Sequence, residues 1–313
     1  MATTHTTATT GRRPSDRFRQ TERTFWRHYG LTPTEHMVAV GSPSTRLRVL
    51  EVGSGPPVIF VHGTGGSGAY FAPLIAQLDG LRCLVIDRPG WGLSEPLDFT
   101  GRDYPAVVSG LLRDTLDHLG VDQADAVGGS IGNTWVLRLA QAHPARVKRM
   151  VWLGGFPRQE LGPPPFIRLL ASPLGRVIAR LAEREPIMRR QLAGLGHGAT
   201  VASGAMDAYL DWRTVEARET HFMRHERSMI KALLNRQGFV DGVAVDNDEL
   251  ARLREPTLLV YGTNDPLGSV ELWQRAIDRI PHGSLHVVQG GGHLPWYDNP
   301  TDVGTAVSSF LNA

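Results

Sequence analysis

Three near-continuous apolar runs, at 57–61, 83–86 and 256–261, each break off into a loop rich in glycine or proline. A strand with one wet face alternates apolar and polar residues. A run that stays apolar at successive positions is covered on both faces, as in a parallel sheet held between two helical layers. Helical patterns at 104–119 and 131–142 fall between such runs, and 147–153 and 285–288 read as further strands. The segments 36–40 and 45–52, joined by Gly41-Ser42-Pro43-Ser44, read as a hairpin. From 156 to 245 the alternation stops, leaving helical patterns at 167–170, 174–181 and 206–234, broken by Gly and Pro. Pro163-Pro164-Pro165 near the start of this stretch is a stiff hinge or a helix start. The expected architecture is an α/β, mostly parallel, doubly wound sheet with an inserted helical lid. Its expected parts are a disordered tail at 1–20, a core at 21–155 and 246–313, and a cap at 156–245.

The chemistry-bearing signal is Val127-Gly128-Gly129-Ser130-Ile131-Gly132, a G-x-S-x-G run between a strand and a helical pattern. A nucleophile on a sharp strand-to-helix turn needs small neighbours, because the backbone there is strained and closely approached. The turn also leaves the Ile131 amide at a helix start, free to donate to a developing oxyanion. Upstream, 57–61 opens into His62-Gly63-Thr64-Gly65-Gly66, a loop able to offer a second amide. Downstream, one strand ends in Gly262-Thr263-Asn264-Asp265-Pro266 and another in Gly290-Gly291-Gly292-His293. A serine hydroxyl needs an imidazole to take its proton, and a carboxylate to hold that imidazole in one tautomer. His293 and Asp265 are the candidates for those roles. Taken singly, Asp265 also reads as a turn residue before proline and His293 as a loop histidine.

Together these motifs, spanning about 45 to the C-terminus, resemble the lid-bearing α/β-hydrolase fold enzymes, which include esterases, C–C bond hydrolases, epoxide hydrolases and haloalkane dehalogenases. The resemblance implies Ser130 as nucleophile, His293 as general base and Asp265 as its orienting acid. It also implies the backbone amides of Thr64 and Ile131 as the oxyanion hole. Epoxide hydrolases and dehalogenases carry Asp where this chain carries Ser130, which argues against both reactions. The leading expectation is hydrolysis of a carboxylic ester of a small to medium, mainly apolar substrate through an acyl-enzyme, without cofactor or metal. The alternatives are a C–C bond hydrolase of meta-cleavage-type diketones and a natural-product tailoring acyl hydrolase or transferase. The C–C hydrolases usually carry Met-Gly-Gly or similar after the serine, and Ile131-Gly132-Asn133 departs from that. A binding module on the same fold is the non-enzymatic alternative.

Other residues are candidates of lesser weight. His62, Trp91, Trp212 and Trp296 are candidate pocket residues, with His62 more suited to bracing the oxyanion loop. Asp87 and Ser94 belong to the Asp87-Arg88-Pro89-Gly90-Trp91-Gly92 turn region and are expected to stabilise it. Phe166, Leu169, Leu192, Tyr209, Trp212, Phe222 and Met223 form the lid core or the pocket wall. His221 and His225 have the spacing of a metal pair but lack a third ligand in the pattern, so they read as a helix surface.

Of 313 residues, 41% are hydrophobic, ample for a large core, and a net charge of +2 leaves no nucleic-acid footprint. Arg12-Arg13 and Arg189-Arg190 read as solvated faces. The single cysteine, Cys83, lies in an apolar strand and excludes an internal disulfide. The Thr-rich start lacks the apolar stretch of a secretory signal and only faintly resembles a transit peptide. A cytoplasmic enzyme acting on a small molecule is therefore expected, with no membrane span and with a homodimer left open.

Overall fold

The computed structural model describes residues 16–41 and 44–313. Helix α1 (Asp16–His28) precedes β1 (Thr34–Val40), β2 (Thr45–Val52) and β3 (Pro57–Val61). Helix α2 (Ala72–Ile75), β4 (Arg82–Ile86), α3 (Tyr104–His118), β5 (Ala124–Gly129), α4 (Ile131–Ala142) and β6 (Val147–Leu153) follow. The lid then runs through α5 (Pro165–Ala171), α6 (Gly175–Ala182), α7 (Glu185–Leu192), α8 (Gly198–Ala202), α9 (Asp207–Thr220) and α10 (Phe222–Ala232). The core resumes with α11 (Asn247–Ala251), β7 (Thr257–Gly262), α12 (Val270–Ile277), β8 (Gly283–Val288), α13 (Pro295–Asp298) and α14 (Pro300–Asn312).

The eight strands form one sheet in the order β1-β2-β4-β3-β5-β6-β7-β8. The pairings of β2 with β1 and β4 are antiparallel and all others are parallel. This is the expected mostly parallel, doubly wound sheet with its helical insertion. Successive strand residues serve opposite layers. Ile59, Val61, Leu84 and Ile86 face the layer built from α3, α4 and α12, while Val58, Phe60, Cys83 and Val85 face α1, α2 and α14. Burial on both sides explains why the runs carry no polar alternation.

The two ends of the insertion meet at the sheet, where Val245 N–H donates to Pro157 O at 3.0 Å and Gln159 N–H to Val245 O at 3.2 Å. The triple proline starts α5, with Pro165 as its first residue. Two expectations change. The helical pattern at 206–234 is two helices, because His221 adopts φ 54° and ψ 27°, a left-handed conformation that ends α9 and starts α10. His221 is therefore a junction residue, and His225 packs beside Gly90, so the two do not share a continuous helix surface. The expected tail at 1–20 overlaps α1 at 16–20; residues 1–15, with Arg12-Arg13, lie outside the described residues. Helix α1 forms because Phe18, Phe25 and Trp26 fall on one face and bury against the sheet and the lid.

Candidate active site

Ser130 sits between β5 and α4 at φ 53° and ψ −123°, outside the regions a non-glycine residue ordinarily occupies. Such strain, of order 1–3 kcal/mol, persists only where surrounding structure holds it. Here the hold is the end of β6. Ser130 N–H donates to Leu153 O at 2.9 Å, and the Asn133 side chain donates to Leu153 O and Gly154 O while accepting from Leu153 N–H.

The same segment, through Gly154 and the following Gly155, reaches the other two candidates. Gly155 N–H donates to Asp265 Oδ2 at 3.0 Å, and a Cβ on Gly154 would lie 2.4 Å from His293 O. Gly154 has φ +71°, so a side chain there would be both strained and blocked. His293 Nδ1 and Asp265 Oδ2 are 2.8 Å apart, and both residues are buried. Burial alone would raise the Asp265 carboxyl. The charge and hydrogen bond of His293, with the Gly155 and Leu267 amides, outweigh it and hold Asp265 below its ordinary value.

The loop after β3 lies against Ser130, since a Cβ on Gly63 would come within 2.7 Å of Ser130 Cβ and 2.8 Å of Gly129 O. Among the described residues the Thr64 and Ile131 amides have no protein acceptor. His62 is fully buried behind this loop: Arg88 N–H donates to its Nε2 at 2.9 Å, leaving Nδ1–H to donate to Gly63 O at 2.7 Å. Burial and the nearby Arg88 charge push its pKa well below the usual histidine value, so it stays neutral in that tautomer.

The lid clamps both loops. Along α9, Tyr209 Oη and Arg213 Nε donate to Gly65 O, and Glu216 accepts from Ser67 N–H at 3.1 Å. Glu216 is wholly buried, which pushes its carboxyl up to about 7 against the opposing pull of Arg213 and Ser67. A second buried pair lies alongside: Arg88 donates to Gly63 O at 2.8 Å and to Glu226, which also accepts from Trp91 Nε1 at 2.7 Å. The turn between α7 and α8 reaches the other loop, where Leu195 O accepts from His293 N–H at 2.9 Å and His197 Nε2 from Leu294 N–H at 3.0 Å. The opposite ring nitrogen of His197 contacts Asp298.

The expected pocket residues are all committed to packing. Trp91 stacks on Phe222 with ring centroids 4.1 Å apart, Trp212 stacks on Phe25 at 4.8 Å, and Trp296 donates to Tyr70 O at 3.0 Å. Of the lid's apolar members, Leu192, Tyr209, Trp212, Phe222 and Met223 are buried, whereas Phe166 and Leu169 are exposed. Those two therefore belong to the lid's outer surface. Asp87 accepts from Gly68 and Leu93 amides and from Arg48, while Ser94 donates to Asp87 O, so both hold the turn. Among the described residues, no three His, Cys, Asp or Glu side chains cluster as metal ligands.

The roles of Arg213, Glu216, Gly154-Gly155 and His197 have no motif. Tyr209, Arg213 and Glu216 do recur at i, i+4 and i+7, one helix face, which was a readable signal.

A family model described as the alpha/beta hydrolase family matches residues 58–306. Among curated proteins the chain is 26% identical over 292 residues to a 2-hydroxy-6-oxononadienedioate/2-hydroxy-6-oxononatrienedioate hydrolase of Cupriavidus pinatubonensis, covering 89% of this chain and 95% of that protein. A second hydrolase of the same description, from Pseudomonas putida, is 27% identical over 282 residues, 87% of this chain and 93% of that protein. Among solved structures, a carboxylesterase from Bacillus subtilis superposes with a TM-score of 0.67 at 20% identity, over 94% of this chain and 97% of that one. The 2-hydroxy-6-oxo-6-phenylhexa-2,4-dienoate hydrolase from Rhodococcus gives 0.69 at 18% identity, over 90% and 100%. At these identities the structural likeness speaks for the fold.

Proposed function

The chain belongs to the alpha/beta hydrolase family, and from that premise we propose that Ser130, His293 and Asp265 act as nucleophile, general base and orienting acid in hydrolysing a C–C bond beside a ketone in a small carboxylated substrate. The observation that carries the triad is the 2.8 Å His293–Asp265 contact together with a serine held at positive φ, each tied to the segment 153–155 at the end of β6. With Asp265 on Nδ1, the other ring nitrogen of His293 is left to take the Ser130 proton. Ser130 Oγ attacks the ketone carbon as His293 accepts that proton, and the Thr64 and Ile131 amides receive the oxyanion. The C–C bond then breaks, its electron pair passing into a conjugated dienolate that His293 protonates. Water cleaves the acyl-enzyme, releasing a carboxylic acid and restoring Ser130.

The choice of substrate class is supported by the two curated relatives described above, whose names give dienedioate and trienedioate substrates, and by the charge beside the loop. Arg88 and Arg213 are buried there, and neither Arg88 Nε nor Arg213 Nη1 has a hydrogen-bond partner among the described residues. Arg88 is paired with Glu226, so the excess positive charge near neutrality comes from Arg213, whose neighbour Glu216 is raised to about 7. Ester hydrolysis is the second reading, favoured by Ile131-Gly132-Asn133 after the serine, since Asn133 is spent on Leu153 and Gly154. The lone buried Cys83 fits a reducing, cytoplasmic setting.

The test compares hydrolysis of a 2-hydroxy-6-oxo-dienedioate with that of p-nitrophenyl esters by the native protein, Ser130→Ala and Asp265→Asn. A higher kcat/KM for the dienedioate, lost in Ser130→Ala and reduced by up to about 10⁴-fold in Asp265→Asn, is expected. Preference for the ester assigns the second reading. Equal rates in native protein and Ser130→Ala overturn the triad.

A further inference from the structure

Six of the seven exposed large apolar side chains among the described residues lie between 161 and 181, on the outer face of the lid; the seventh is Met37. Leu174, just before helix α6, and Val177 and Leu181 within it point outward, with Leu174 66% and Val177 57% exposed, while Gly175, Ala179 and Ala182 are buried on the inner side. Phe166 and Leu169 extend the patch along α5. Ile178 also packs against the lid core, so α6 carries apolar side chains on its outer face in addition to its inner one, an unusual load for a surface helix.

The charge of this patch is one-sided. Residues 161–182 contain Arg168, Arg176 and Arg180 and no Asp or Glu, and all three arginines are exposed. The flanking acids Glu160 and Glu185 are already paired with Arg158 and Arg189, and Glu183 is only half-exposed. Beneath, α10 turns Arg227 toward Ser172 O at 2.9 Å, adding a further cation. A two-fold pairing of this face with itself would set like charges against each other. An apolar stripe rimmed by arginine instead matches an anionic lipid surface, where the rim meets headgroups and the apolar side chains enter the acyl boundary. No helix among the described residues is long and apolar enough to cross a membrane, so such contact would be peripheral.

We propose that the α5–α6 face of the lid docks the protein onto anionic lipid surfaces. The inference is independent of which bond the active site cleaves.

The full chain is tested by cosedimentation with phosphatidylcholine vesicles, with and without phosphatidylglycerol. Native protein should partition at least about tenfold more strongly onto the phosphatidylglycerol vesicles, and added salt should weaken that binding. Leu174→Glu with Val177→Glu should abolish binding while the protein still unfolds cooperatively at the native temperature. Arg176→Glu with Arg180→Glu should remove the preference for anionic lipid, and decides the matter if the first variant does not fold. Equal binding to both vesicle types overturns the proposal, as does unchanged partition in either variant. A lipid-free dimer that the first variant dissociates assigns the face to a second copy of the chain and likewise overturns it.

Discussion

Arg213 in the lid donates from Nε to Gly65 O in the loop after β3 at 2.7 Å. Its guanidinium also lies 3.8 Å from the centre of the Phe222 ring. One side chain thus joins α9, the start of α10 and the loop that carries the Thr64 amide.

Replacing Arg213 with Leu should lower kcat/KM about 10- to 100-fold, because the Thr64 amide, the proposed oxyanion donor, loses a fixed position. A carboxylated substrate should lose more than a neutral ester. Steady-state kinetics on both substrate types reads this, and a native rate in the variant would detach the lid from the chemistry.

Gly63→Ala should be harsher than its single methyl suggests. The new Cβ would sit 2.7 Å from Ser130 Cβ and 2.8 Å from Gly129 O, neither of which is a flexible side-chain end. We expect a stability loss of about 1–3 kcal/mol, read by chemical denaturation, together with at least about a 10²-fold fall in activity.

Glu216 predicts a pH dependence whose sign is fixed by its raised pKa. Folded, it titrates at about 7; unfolded, it ionises at its ordinary value of 4.5. Between those values the native state keeps a proton that the unfolded chain has released. Its contribution to stability is therefore complete below about 4.5, is lost as pH rises to 7, and is absent above. The full term is about 3 kcal/mol. Glu216→Gln, which keeps an acceptor for Ser67, should flatten the melting temperature between about pH 4.5 and 7; an unchanged profile would refute the assignment.

Phe25→Ala tests whether α1 supports the lid. The Phe25 and Trp212 rings stack at 4.8 Å with 13° between their planes, and Phe25 is buried. Loss of about 3–5 kcal/mol is expected from thermal or denaturant unfolding. A surface-like change below about 0.5 kcal/mol would mean that α1 is an ornament to the fold.

Sheet, lid position and the placement of Ser130, Asp265 and His293 after strands β5, β7 and β8 were legible because each leaves a local mark: apolar runs, an interrupted alternation, and loops rich in glycine at strand ends. Helix α1 was not read from the sequence, and its first residues were assigned to the tail. Its apolar face is sparse, and Glu22, which points inward, looks like a solvent residue until Arg48 is found beside it, both buried. Arg189, expected to be solvated, does form only surface pairs with Glu185 and Asp207.

By itself, then, the sequence determined the layers and the order in which candidate groups follow one another, since periodicity and glycine placement act over a few residues. The tertiary structure decided which charges go inside and what they hold. Arg88, Arg213, Glu216 and Glu226 are buried with partners far away in the chain, Gly63 and Glu226 for Arg88, Gly65 for Arg213 and Ser67 for Glu216, which offset part of the cost of a charge in the low-dielectric interior. No local pattern encodes a partner more than a hundred residues away. Likewise only packing decided which apolar side chains of α6 go inside: Ile178, Ala179 and Ala182 pack against the lid core that includes Phe222 and Ile230 of α10, while Val177 and Leu181 stay outside.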